Sequence, residues 1–416
     1  MPSVIPFRCM RPCAEYAAEY AALPYDVYSR KEAAAEIAAH PRSFLRIDKT
    51  TALLPSDVGE YDQRVYGLAK SLLDADKDAG VIADEPDGRP HYYLYRLTKG
   101  LRQQTGVVAC VSVADYNAGL VKRHENTREH KCRDRFEHIT ALGAHTGPVL
   151  LEHRPHAAIT SAIAQTVDES LPLYDFVAPD GVRHTVWRVD KPACEQSIMS
   201  GFADAGALYI ADGHHRAAAA ALVAEQLGCG LAGQGAACSG SASHFLAALF
   251  SSEELQVLDY NRVVFDLNGH SKDELLALAA SSFELLTTPE ALSQPSERGE
   301  LGMYLQGSWH RLRVPAGTRP ADAVGCLDVS ILQDRLLGPV LAIDDPRSSE
   351  RIAYVGGVRG LEELERRADA AGGVAFALFP CSMEELFAVA DAGRLMPPKS
   401  TWFEPKPRSG LFVHML

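Results

Sequence analysis

The chain predicts a mixed α/β fold of more than one domain, and three observations carry that prediction. Its 416 residues can bury a large core and exceed the usual size of a single domain. A composition of 47% hydrophobic and 23% charged residues is that of ordinary folded proteins, far from disorder. Short apolar runs bounded by glycine and proline alternate with helical patterns, most plainly in ALYIADGHHR at 207–216 and the alanine-rich run behind it. The expected organisation is a mixed α/β domain over 1–250, a smaller α+β domain over 251–395, and a C-terminal strap over 396–416 that packs back on the body.

In chain order, Ser29 precedes a helical pattern with Glu32 three residues on, a capping box. Pro41 stops that helix, and residues 43–47 read as a short strand or loop. A helix is expected over Val58–Leu73 and a solvated acidic turn over Asp74–Asp87. HYYLYRLT and QQTGVVACVSVADY read as a strand pair whose second, more continuously apolar member is central. VLLEH is a further strand, and DFVAPDGVRHTVWRVD a hairpin around Pro-Asp-Gly. Glycine and serine from Gly228 to Ser243 read as a mobile loop. LQVLDYNRVVFDL and GGVAFALFP are strands, and a helix starts after Ser382. The last segment is rich in proline yet holds Trp402, Phe403, Leu411 and Phe412, too apolar for a loose tail.

A formal net charge of −13 argues against broad contact with nucleic acid or an anionic membrane. No apolar run is long enough to span a bilayer, and MPSVIPFRCMRP lacks the apolar centre of a signal peptide, so a cytoplasmic location is expected. The nine scattered cysteines contain no CxxC pair and fit reduced thiols.

The chemistry concentrates at 207–216. Leu208, Tyr209 and Ile210 form a strand, Gly213 permits a tight turn, and the helix behind it begins with N–H groups that have no partner inside the helix. Arg216 adds a rigid donor fork suited to phosphate or carboxylate, so the segment reads as an anion-binding corner. The plainer alternative is a helix cap at Asp212 with local pairing of the histidines and Arg216. The most charged stretch, 122–145, holds Lys122, Arg123, Arg128, Lys131, Arg133 and Arg135 together with His124, His130, His138 and His145. On a helix, His124, Arg128 and Cys132 would share a face. HExxH is absent, so no metal site is predicted and an anionic ligand is the natural one. Lys399, Ser400, Thr401 and Lys406 in the strap are available to the same pocket.

The landmarks ALPYDV (22–27), SFL (43–45), TGVVACVSVADY (105–116), KRHENT (122–127), GPVLL (147–151), ADGHHR (211–216) and MPPKSTWFEPKPRSGL (396–411) resemble the domain of unknown function 1015 family, which has no established activity. ADGHHR is also similar to a corner of the ParB and sulfiredoxin superfamily, which includes free-serine kinases. There a strand, a glycine turn and a His-Arg pair hold nucleotide phosphates.

The phosphate-compatible ADGHHR turn and the excess of basic groups over 122–135, inside an acidic protein, lead to the expectation of a phosphotransfer or phosphate-ester enzyme acting on a small metabolite such as serine or phosphoserine, with ATP or ADP and Mg²⁺. Arg216, Lys122 and Lys131 would neutralise the phosphoryl group. His214 or His215 would hydrogen-bond it or act as general acid, and Asp212 or Glu125 would orient or deprotonate a hydroxyl. Gly213, His124, Thr127, Lys399, Ser400 and Lys406 would complete the ligand site. A regulator that binds a nucleotide or phosphometabolite without turnover is the alternative, and a ParB-like nucleic-acid binder a third.

Overall fold

The computed structural model describes residues 1–229, 241–286 and 294–416. Two compact units result, one of Met1–Arg123, Thr127–Leu255 and Pro405–Leu416, the other of His124–Asn126 and Gln256–Glu404. The fold is mixed α/β, with several sheets and packed helices.

The first unit is built on a mixed sheet whose order is Val121–Lys122, Leu208–Asp212, Val149–His153, His244–Ser251, Arg102–Ser112, Tyr93–Lys99, Arg183–Arg188, Tyr174–Val177, with Val4–Ile5 added against Arg102–Ser112. Leu208–Asp212 runs parallel to Val121–Lys122, and His244–Ser251 parallel to Val149–His153; the other pairs are antiparallel. Alternation sends Val107, Ala109, Val111, Leu151, Ile210 and Leu249 to one face, where they bury Ile159, Ile198, Phe202, Ala217 and Ala220 of three helices. Gly106 sits mid-strand because a Cβ there would lie 2.5 Å from the Leu249 carbonyl oxygen. A second, antiparallel sheet of Ile82–Asp84, Cys9–Pro12, Val413–Met415 and Ala144–His145 closes on a core of Tyr20, Phe44, Ile47, Leu73 and Val413. Leu411, Phe412 and Val413 are fully buried, Val413 in this core and Phe412 against Tyr93 and Tyr95.

The second unit is an antiparallel sheet in the order Glu284–Leu286, Ser308–Arg313, Glu300–Leu305, Val374–Leu378, Tyr260–Val264, Ile352–Gly356. The helix Gly360–Ala371 covers one face through Leu364 and Ala368, against Val263, Val355, Ala375 and Ala377.

Several elements depart from expectation for local reasons. The helix expected at Val58–Leu73 spans Gln63–Asp78, because Asp62 caps it by accepting from the Arg64 N–H. Residues Leu45–Asp48 are a short helix rather than a strand, since Phe44, Leu45 and Ile47 are all buried. The charged stretch becomes helical only at Glu129–Leu142, and Val121–Lys122 is a strand. His124, Arg128 and Cys132 therefore share no helical face. The expected loop at Gly228–Ser243 lies outside the described residues over 230–240. Cys9, Cys13, Cys110, Cys132, Cys194, Cys326 and Cys381 are free. Among the described residues, no helix is long and apolar enough to cross a membrane.

Candidate functional site

The strand Leu208–Asp212, Gly213 and the helix His214–Gln226 form the corner that the sequence marks. Gly213 has φ 95°, a conformation that disfavours a side chain, and a Cβ there would lie 3.0 Å from the Arg216 guanidinium folded over it. Pairing with Val149–His153 slips between Ile210 and Asp212, and this irregularity re-aims the aspartate at the strand end. Its Oδ1 accepts the Gly213 N–H at 2.9 Å and its Oδ2 accepts Lys406 Nζ at 2.9 Å. Arg216 Nη2 stands 3.7 Å from Oδ2, while Nη1 donates to the Pro148 carbonyl. Gly147 leaves room for this approach, since a Cβ there would meet Ser409 Oγ at 2.9 Å and Arg216 Nη1 at 3.4 Å.

Lys406 is almost fully enclosed. Burial alone would depress its pKa, but Asp212 and Asp26 outweigh both burial and the repulsion from Arg216, and its pKa is raised. Asp26 lies on the turn Tyr25–Val27, and its exposed carboxylate makes no hydrogen bond among the described residues. The adjoining cavity, about 20 Å³, is lined by Tyr25, Asp48, Arg135, His138, Thr146 and Arg216, among others. Asp48 accepts from Thr146 Oγ1 at 3.1 Å and lies 3.3 Å from His138 Nε2. Burial opposes ionisation of Asp48, yet His138 and Arg135 hold its carboxyl below the usual range. Burial, then Arg135, lowers the pKa of His138 despite Asp48.

The sequence-marked residues divide between the units. In the first, Lys122 places Nζ 5.7 Å from the Tyr209 ring centroid, and Thr127 stands just ahead of the helix Glu129–Leu142. His214 is buried, and His215 Nε2 accepts the Arg128 N–H at 3.0 Å, tying the start of Glu129–Leu142 to the corner. That bond makes Nε2 an acceptor and leaves the proton on Nδ1 in the neutral ring. Lys131 lines a second cavity on the far side of Tyr25 and Arg135.

His124, Glu125, Lys399 and Ser400 belong to the second unit. There the His124 carbonyl accepts the Met396 N–H at 2.7 Å, and Thr401 Oγ1 lies 3.4 Å from His124 Nε2. Lys399 has a left-handed backbone and sits 5.7 Å from the Tyr260 ring centroid, and Ser400 donates to the Pro397 carbonyl at 2.7 Å. Sequence reasoning did not single out Asp48, Thr146 or Ser409 as site residues, and it treated Arg135 and His138 as members of a charged helix. Their only local signal is the polar side chain next to an apolar run, as in RSFLRID and PRSGLF. Among the described residues, no group of three or more His, Cys, Asp or Glu side chains is placed to hold a metal ion.

A mixed α/β unit with Lys406 and Arg216 gathered on Asp212 at a strand end is the class that fold and site define. The sequence model of the family described as "Protein of unknown function (DUF1015)" matches residues 4–330, and the chain belongs to that family. No curated protein matches. Among solved structures, the chain is similar to a free serine kinase in complex with AMP, at 15% identity over 74% of this chain and 92% of that one, with a TM-score of 0.38. It is also similar to SbnI with a C-terminal truncation from Staphylococcus aureus, at 12% identity over 74% and 87%, TM-score 0.40. A conserved hypothetical protein from Pyrococcus furiosus is similar at 15% identity over 76% and 97%, TM-score 0.36. Similarities this distant establish nothing about ligand or reaction.

Proposed function

We propose that the corner formed by Asp212, Gly213, Arg216 and Lys406 binds the phosphate of a nucleotide or phosphorylated metabolite, and that the protein transfers a phosphoryl group to a small hydroxyl metabolite. The observation that carries this reading is the enclosed Lys406 ammonium, 2.9 Å from Asp212 at the start of the helix His214–Gln226. A cation, a guanidinium and a helix start thus meet around Asp212, and these are the kinds of donor an oxyanion requires. In this arrangement Asp212 orients Lys406. Lys406 and Arg216 offset the charge that builds on the phosphoryl oxygens, in a site whose dipoles are already set. The acceptor hydroxyl attacks phosphorus, the bond to the leaving phosphate breaks, and the hydroxyl proton passes to Asp26, the exposed carboxylate beside Lys406. The chemistry that Mg²⁺ would supply here is further positive charge against the phosphoryl oxygens, beside that of Lys406 and Arg216.

A second reading, a regulator that binds the same ligand without turnover, draws on the saturation of Asp212, whose two oxygens already accept from Gly213 and Lys406. Phosphorus NMR of the protein with ATP, Mg²⁺ and serine separates the two. Growth of ADP and phosphoserine signals is expected for the enzyme; ATP that binds and persists unchanged supports the regulator.

A further inference from the structure

The second cavity, about 70 Å³, is lined by Lys49, Thr51, Tyr61 and Lys131, and shares Tyr25, Asp48, Arg135 and His138 with the first. One water needs roughly 10–15 Å³ of such space, so several waters or one small oxyanion fit.

Its lining carries three cations, Lys49, Lys131 and Arg135, and three carboxylates, Asp48, Glu60 and Asp134, but they are not all paired. The Arg135 guanidinium lies 3.8 Å and Lys49 Nζ 5.9 Å from the Tyr25 ring centroid, so one ring carries two cations. Arg135 is paired with Asp134 at 2.8 Å, Asp134 also accepts from the Tyr66 hydroxyl at 3.1 Å, and Asp48 is taken by His138 and Thr146. Lys49 and Lys131 are the cations of this lining that stand outside those contacts. Both lysines are half-buried, and among the described residues neither has a carboxylate within ion-pair distance. Burial draws the Lys49 ammonium below the usual lysine range; Glu60 opposes this, and Lys131 and Arg135 add to it. Two ammonium groups that line one cavity with no carboxylate in contact repel each other, and an anion between them reverses the sign.

We propose that this cavity binds the carboxylate or phosphate group of a small metabolite between Lys49 and Lys131, with Thr51 and Arg135 on its walls. The inference rests on the phosphate reading of the neighbouring corner for its place in a reaction, since the shared Tyr25–Arg135 wall sets the metabolite's anionic group beside the phosphoryl site. The binding itself does not depend on that reading.

Brief acetylation of the full chain with acetic anhydride, read by mass spectrometry, tests it. Inorganic phosphate and lactate are the probes, because neither carries an amine that would consume the reagent. Lys70, which pairs with Asp74 on an exposed helix face, is the internal standard. At saturation, at least one probe is expected to slow labelling of both Lys49 and Lys131 about fivefold while Lys70 is unchanged. Protection by phosphate alone assigns a phosphate group, protection by lactate alone a carboxylate, and either supports the site. Lys131→Gln is expected to weaken the protection of Lys49 about tenfold in probe concentration, as loss of one charge-assisted bond requires. No protection by either probe, or protection of Lys49 unaltered in Lys131→Gln, overturns the proposal. The same labelling on Arg216→Ala separates the two readings: protection that survives there while no nucleotide binds the wild type leaves this cavity standing and removes the corner. Nucleotide binding that depends on Arg216, with unprotected lysines, does the reverse.

Discussion

Lys406 leaves only 12% of its side chain exposed, and an ammonium so enclosed depends on its acids. Asp212 supplies the bond and Asp26 a second negative charge. Lys406→Met removes the cation and leaves Asp212 facing Arg216 at 3.7 Å, a longer and weaker ion pair. A half-broken buried pair costs about 3–5 kcal/mol, so the urea midpoint is expected to fall by that equivalent, and any stabilisation by phosphate ligands to disappear with it. A variant as stable as the wild type would show that the Lys406–Asp212 bond carries no such weight. At this scale the corner was readable: Asp212, Gly213 and Arg216 are adjacent in sequence, and a glycine between strand and helix has a local meaning. Asp48, Thr146 and Ser409 were not, because they come from three separate segments that only the fold brings around Arg216.

The join between Leu208–Asp212 and His214–Gln226 is an element whose geometry the composition dictates. Leu208 and Ile210 hold the strand in the core, and Ala217, Ala220 and Ala224 seat the helix closely on it. Gly213 turns the chain between them at φ 95°. Gly213→Ala is expected to cost about 1–2 kcal/mol in backbone strain and to displace Arg216, so ligand affinity should fall by more than stability alone explains. Chemical denaturation and nucleotide titration on the same variant measure both. The capping box at Ser29 and the helix start at Ser382 were equally legible, because the signal and the structure lie within four residues. The start of Glu129–Leu142 was not. The charge pattern continues smoothly through 122–128, and what stops the helix from extending back is strand pairing of Val121–Lys122 with Leu208–Tyr209, a long-range contact.

Across the whole molecule, stability should depend on pH through buried groups of the first unit. Burial first, with Arg408 adding to it at His184 and His414 at His145, lowers both pKa values to about 3; burial lowers that of His153 to about 4. Their unfolded value is about 6.5, so below that pH the unfolded chain binds more protons, and stability is lost as pH falls toward 4, by about 1.4 kcal/mol per unit for each group. Glu152 acts in the opposite sense. It is buried in the sheet with both carboxyl oxygens unpartnered among the described residues, and burial raises its pKa well above the usual range. The folded chain then holds a proton that the unfolded chain releases above about pH 4.5, so this contribution falls as pH rises. Three histidines outweigh one glutamate below pH 6.5, and above it Glu152 remains, which puts maximal stability near pH 6–7. Urea midpoints from pH 4 to 9 are expected to show that maximum, and Glu152→Gln to flatten the alkaline limb. A monotonic profile would contradict the assignment. Mixed α/β architecture was legible in the alternation of strand and helix patterns; the partition of KRHENT between two units was not, since no residue in 122–127 marks where one unit yields to the other.

The central claim is that phosphate binds at Asp212–Arg216 and Lys406, and thermal stability with ATP, ADP, pyrophosphate, serine and phosphoserine, with and without Mg²⁺, tests it most directly on the wild type and Arg216→Ala. A ligand that binds only the folded state raises its melting temperature by mass action. The account predicts a rise with at least one phosphate compound, lost in Arg216→Ala although that variant stays folded. No rise with any phosphate compound, or an equal rise in the variant, would contradict it and return the corner to a helix start held together by its own ion pairs.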